Sequence, residues 1–193
     1  MSAHSALEGK YYPGIHGIET SKPPGISVQE IRTLNLLHIS GSPHDSHFLK
    51  AVKSSVQYEL PLVPNTTAGN KISFGLWVSP NSWLIGSYKK AVINLLISKN
   101  LNITNISSGR TILRISGPNT RDILAKGCPL DLHPEVFTPG LCAQSKINSL
   151  SILLNSIDNE TIDIFVPRSL SVGFWEWLLK ATLEYGLEIK PHS

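Results

Sequence analysis

A chain of 193 residues with 41% hydrophobic residues and a net charge of +3 can bury roughly 70% of the surface its unfolded form exposes, which excludes an intrinsically disordered chain. Charged residues make up only 16%, below the roughly 25% of ordinary soluble domains, and Lys and Arg are scattered singly, leaving no electrostatic footprint for nucleic acid. No run reaches the ~18 apolar residues of a membrane span, and Met1 to Lys10 lack the basic and apolar regions of an export signal, so a cytoplasmic location is expected.

Residues 1–32 hold Tyr11-Tyr-Pro-Gly-Ile-His-Gly17 and Ser21-Lys-Pro-Pro-Gly25, too many turn formers for an early regular element, and read as an extended N-terminal arm. A single α+β domain is expected over 33–190, in two halves, 33–107 and 108–190. Thr33 to Ser40 reads as a strand. Ser42-Pro-His-Asp45 then opens a helix running to about Tyr58, with Phe48, Val52 and Val56 recurring on one face. Pro61 and Pro64 end it. Ile72 to Val78 and Trp83 to Gly86 form strands joined by the turn Ser79-Pro-Asn-Ser82. A helix from Tyr88 to Lys99 and a strand from Leu101 to Ile106 close the first half.

The second half starts with the alternating strand Arg110 to Ser116, and Gly117-Pro118 opens a short helix closed by Gly127. Cys128 to Gly140 is irregular, and two or three strands follow within Cys142 to Val166. The last helix begins near Ser169 or Ser171, either able to cap it. Its expected buried stripe is Leu170, Phe174, Trp177, Leu178 and Ala181, ending at Gly186. The order βαββαβ followed by βαβββα predicts an α+β fold of two ferredoxin-like βαββαβ-type halves packed together.

The passage Ser107-Ser-Gly-Arg-Thr-Ile-Leu-Arg-Ile-Ser-Gly-Pro118, the stretch Ala125-Lys-Gly-Cys-Pro-Leu-Asp-Leu-His-Pro134, then Pro139-Gly-Leu-Cys-Ala-Gln144, Asp163-Ile-Phe-Val-Pro-Arg-Ser169 and Phe174-Trp-Glu-Trp-Leu178 together resemble the gamma subunits of heterotetrameric sarcosine oxidases. The resemblance is strong over about 107–186 and thin before residue 33. That family is in turn similar to the folate-binding fold of the glycine cleavage T protein, and no acidic folate motif can be placed on this sequence. What the resemblance implies is a non-catalytic structural subunit in a complex with alpha, beta and delta subunits. Such a complex demethylates sarcosine oxidatively to glycine, with tetrahydrofolate as one-carbon acceptor and hydrogen peroxide as product. FAD, FMN, NAD, tetrahydrofolate and zinc are expected in the other subunits and none on this chain. The alternative is a stand-alone folate-binding protein like an aminomethyltransferase.

The residues themselves assign no catalytic, cofactor-binding or metal site. Cys128 follows a helix C-terminus, where the dipole opposes a thiolate, and Cys142 opens an apolar strand; both are expected as structural thiols in a reducing compartment. A cysteine-dependent enzyme using Cys128 is the weakest alternative. Asp131 and His133 flank Leu132 and share one face of an extended segment, as a loop anchor or an acid-base pair would. His44 and His47 stand three apart, but no further ligands complete a metal site. Ser87 and Lys90 have Ser-x-x-Lys spacing, with helix capping the simpler role for Ser87. No Gly-x-Gly-x-x-Gly follows a predicted strand, and no Gly-Lys-Ser/Thr occurs, so phosphate cradles are not supported. Trp175 and Trp177 cannot both face the core, and Trp175 is expected to face a partner.

Overall fold

The structure, a computed structural model, describes residues 4–17 and 23–193. The fold is mixed α+β, and the chain divides into two compact units. One comprises Thr33–Ser107 with Gly140–Ala143; the other takes the described residues up to Arg32, together with Ser108–Pro139 and Gln144–Ser193. Before the first of these units in the chain come two strands, β1 (Gly14–His16) and β2 (Ile26–Glu30).

The unit built on Thr33–Ser107 contains β3 (Asn35–Ser40), α1 (Ser46–Val56), β4 (Thr67–Gly69), β5 (Ser73–Ser79), β6 (Ser82–Ser87), α2 (Lys90–Ile97) and β7 (Asn102–Asn105). Its antiparallel sheet has the order β4-β5-β6-β3-β7. Asp45 caps α1, its carboxylate accepting from the backbone N–H of His47 (2.9 Å) and Phe48 (3.3 Å). Below that cap the spacing of Phe48, Val52 and Val56 turns one apolar face inward. These side chains meet Leu37, Ile39, Trp83 and Ile85 of the sheet and Ile93 and Leu96 of α2 in one cluster. Leu37 lies opposite Ile85, and Ile39 opposite Trp83, so cross-strand pairs stack beneath the helices. Trp83 is fully buried, and its indole N–H reaches the Pro61 carbonyl at 2.7 Å.

The other unit holds β8 (Arg110–Ser116), α3 (Thr120–Ala125), β10 (Leu150–Ser156), β11 (Thr161–Pro167), α4 (Ser171–Thr182) and β12 (Leu187–Ile189); β9 (Cys142–Ile147) enters it at Gln144. The sheet order is β1-β12-β2-β8-β11-β10-β9, with β12 and β2 parallel and β2 antiparallel to β8. The Gly117 turn between β8 and α3 needs glycine twice over: φ is 127°, and a Cβ there would sit 2.4 Å from the Gly25 carbonyl oxygen.

Three expectations are corrected here. Of the arm expected over residues 1–32, the described residues do not form one: β2 is paired on both sides and buries Ile26, Val28 and Glu30, while Leu7 is fully buried; residues 1–3 and 18–22 of that range lie outside the described residues. Pro23-Pro-Gly25 marks the entry to a strand rather than its absence. Neither Ser169 nor Ser171 caps α4, whose N-cap is Leu170 without a side-chain bond; the Ser171 hydroxyl is buried against Thr111 Oγ1 (2.7 Å) and the Pro167 carbonyl (3.1 Å). The tryptophans are reversed as well. Trp175 is 1% exposed, and Trp177 is the half-buried one, packed on Phe174.

Candidate functional site

The candidate reactive groups are dispersed, and each is held by its own neighbours. Cys142 is buried with its thiol 3.4 Å from the carbonyls of Thr66 and Trp77. Burial pushes this thiol up to about 11, a hydrogen bond with the Trp77 backbone acting more weakly in the other direction. Such a group is a poor nucleophile near neutral pH. Cys128 is buried, and its sulfur lies 3.4 Å from Ser145 Oγ.

Asp131 and His133 do come together, but through the backbone: Asp131 Oδ1 accepts from the His133 N–H at 2.9 Å, and His133 Nδ1 accepts from the Glu135 N–H at 3.3 Å. Both ring and carboxylate are exposed. This is a turn that organises Leu132, buried between them. His44 and His47 are exposed at the start of α1, and among the described residues no group of three His, Cys, Asp or Glu is arranged to hold a metal ion. Ser87 does not cap α2, whose N-cap is Lys89; its hydroxyl instead accepts from the Lys89 N–H at 3.1 Å in the turn before the helix.

Sequence reasoning missed the groups that organise the larger sheet. Arg114 on β8 lies directly opposite Asp163 on β11 and grips it with two bonds, Nε to Oδ1 at 2.7 Å and Nη2 to Oδ2 at 2.8 Å. The carboxylate is buried. Glu30, also buried, accepts from Arg32 Nε at 2.8 Å and from the Ser5 hydroxyl. Arg121 ties the irregular 128–140 stretch to its surroundings, donating to the carbonyls of Leu132 (2.6 Å), Phe137 (3.0 Å) and Asn159 (2.8 Å). Nothing local in the sequence reveals the Arg114–Asp163 pair, whose members stand 49 residues apart; Arg32 stands two residues from Glu30, but the inward turn of that carboxylate is set by the fold.

The N-terminal segment is the other missed feature. The Trp175 indole N–H donates to the Lys10 carbonyl at 3.1 Å, and its ring centroid lies 5.2 Å from that of Tyr11. The Tyr11 hydroxyl donates to the Lys190 carbonyl (2.6 Å) and accepts from the Glu30 N–H (3.0 Å). Burial, the main cause, raises its pKa above the ordinary tyrosine value. Beside these contacts lies a hollow of about 310 Å³ lined by Lys10, Tyr12, His16, Trp175, Leu179 and Ile189 among others. Tyr12 and Ile15 are among the most exposed large apolar side chains of the described residues, at 63% and 76%. Among the described residues no helix is long and apolar enough to cross a membrane.

The two-sheet α+β architecture is a fold that solved structures share. The glycine cleavage system aminomethyltransferase T from Bartonella henselae matches with a TM-score of 0.63 at 12% identity, covering 95% of this chain and 57% of that one. A nearer solved structure is a chain of the heterotetrameric sarcosine oxidase from Corynebacterium sp. U-96, with a TM-score of 0.77, 21% identity, and coverage of 86% and 88%. The model of the sarcosine oxidase, gamma subunit family matches residues 40–184, and the chain belongs to that family. Its relatives include sarcosine oxidase subunits gamma from Corynebacterium sp. strain P-1, 24% identical over 78% of this chain and 75% of the relative, and strain U-96, 23% identical over 86% and 84%.

Proposed function

We propose that this chain is the non-catalytic structural gamma subunit of a heterotetrameric sarcosine oxidase, working in the cytoplasm beside alpha, beta and delta subunits. In this reading the complex demethylates sarcosine to glycine, passes the one-carbon unit to tetrahydrofolate and releases hydrogen peroxide; FAD, FMN, NAD, tetrahydrofolate and zinc reside in the other subunits. The observation that carries the reading is family membership over residues 40–184. Geometry supports it from the side of this chain. The Cys142 thiol is raised and enclosed, and Asp131 and His133 spend their bonding on one turn.

Within the same reading each unit is a ferredoxin-like βαββαβ fold. The order β7-β3-β6-β5 supports this for one unit, β4 being an added edge; in the other, β12, β8, β11 and β10 take the corresponding order with β2 inserted between β12 and β8.

Copurification tests the subunit reading: the chain, tagged and coexpressed with flavin-bearing proteins encoded beside it, is expected to retain them through size exclusion. A soluble, monodisperse chain that retains none of them, or that turns over sarcosine unaided, sinks the proposal. The likeness to aminomethyltransferase T is what favours the second reading, a stand-alone folate-binding protein. Calorimetry of the purified chain with tetrahydrofolate separates the two: the second reading requires saturable heat, the first requires none.

A further inference from the structure

We propose that the unit containing α4 carries a peptide-binding seat, and that the segment His4–Gly17 of this chain is its resident, separable occupant. The contacts are those by which extended peptides are captured at sheet edges, where main-chain bonds supply affinity and side-chain pockets supply selectivity. β1 adds antiparallel to the edge strand β12, with Gly14, Ile15 and His16 opposite Ile189, Glu188 and Leu187. Leu7 fills a fully buried position. Tyr11 lies against Trp175 and links β2 to the residue after β12 through its hydroxyl. Lys10 adds a 2.7 Å ion pair with Glu176, Ser5 donates to Glu30, and Arg168 donates to the His4 carbonyl.

Two features make the occupant separable. Its only strand is three residues long, so its hold depends on a few side chains rather than a long ladder. A hollow lined by Lys10, Tyr12 and His16 of the segment together with Trp175, Leu179 and Ile189 leaves that part of the seat loosely filled, so close contacts there are forgone. The recognised ligand is a peptide that presents Leu and Tyr four residues apart on a single turn, closed by the Tyr11 N–H on the Leu7 carbonyl at 3.0 Å, followed by a short strand.

The test uses the full chain with a protease site placed between Gly17 and Pro23, cut after folding. Native mass spectrometry is expected to show the cleaved segment still bound at micromolar protein. Tyr11→Ala is expected to speed its release at least about tenfold, because the two hydrogen bonds of its hydroxyl and one aromatic contact together are worth at least roughly that factor. Loss of the segment from the nicked parent as fast as from Tyr11→Ala overturns the proposal. Hydrogen exchange on the uncut chain gives a second reading should the nicked protein precipitate. Amides of Lys10 and Tyr11, both bonded to the Leu7 carbonyl, are expected to exchange about tenfold faster in Tyr11→Ala while those of β8 and β11 hold their rates. Exchange of the segment and of β11 at one common rate in both proteins also overturns it.

Discussion

The two compact units reach similar sheets from differently placed pieces of chain. All five strands of the smaller sheet fall between Asn35 and Asn105, whereas the seven-stranded sheet takes β1 and β2 from one end of the chain, β12 from the other and β8 to β11 from between. The interiors differ accordingly. A cluster of apolar side chains under two helices centres the smaller sheet; the larger one buries two carboxylates, Glu30 and Asp163, each against an arginine. A strand recruited from a distant part of the chain has no tight turn to set its register. A buried carboxylate facing its arginine across the ladder accepts one alignment, since a one-residue slip would send it to the other face unpaired.

The largest break in this comparison comes from Trp83→Ala. Removing a fully buried indole and its bond to Pro61 is expected to cost about 3–5 kcal/mol in urea unfolding. Hydrogen exchange should accelerate in β3, β5 and β6 first. Equal acceleration in β8 and β11 would mean that the units respond as one, and the contrast between them would fail.

Arg114→Ala probes the other side. It strands the Asp163 carboxylate, whose side chain is 2% exposed, while Arg114 itself is 33% exposed; the expected loss is about 2–3 kcal/mol, toward the low end for a broken buried pair. Replacing both residues by leucine is expected to restore most of that loss, because the penalty lies in the unpaired charge. A double variant no better than Arg114→Ala would show that the pair does more than neutralise itself.

Cys142 sharpens the comparison through pH, since Gly140–Ala143 is the one stretch of the smaller unit supplied from afar. Its thiol rises from an ordinary 9.0 to about 11 on folding. The folded value is the higher, so this group's contribution is intact below pH 9 and is lost as pH climbs through about 11. Stability of the parent is expected to fall across that window by up to about 1.4 kcal/mol per pH unit relative to Cys142→Ala. Parallel pH profiles for the two proteins would refute the shift.

What was legible in the sequence follows the same divide. The α1 stripe, the β5–β6 hairpin and the alternating β8 are local patterns, readable because one periodicity or one turn settles each. β2 alternates just as cleanly, yet its third inward residue is Glu30 and prolines precede it; only Arg32 and Ser5 make that inward carboxylate tolerable. β12 is three residues long, too short for any period to show. The tryptophan pair was misread because helical spacing tells that one faces outward but not which, and the cover over Trp175 comes from Lys10 and Tyr11, 165 and 164 residues away. Among the site residues, the Asp131 turn is visible locally, whereas the carbonyls of Thr66 and Trp77 that enclose Cys142 are brought in by the fold.

The smallest effect expected is at Asp45, and it bears on how far local signals reach. The sequence places the helix start at Ser42-Pro43, and the chain there forms a turn, Asp45 N–H donating to the Ser42 carbonyl at 3.1 Å, before α1 begins at Ser46. Asp45 is the residue with a side-chain acceptor at the N-cap position and two orphan N–H groups to satisfy. Asp45→Ala is expected to cost about 1 kcal/mol by urea unfolding, and Asp45→Asn, which keeps the acceptor, a few tenths. Ser42→Ala should change little by comparison, as its hydroxyl only accepts from the His44 N–H at 3.2 Å in the preceding turn. Equal losses for Asp45→Ala and Ser42→Ala would place the helix start back at the proline.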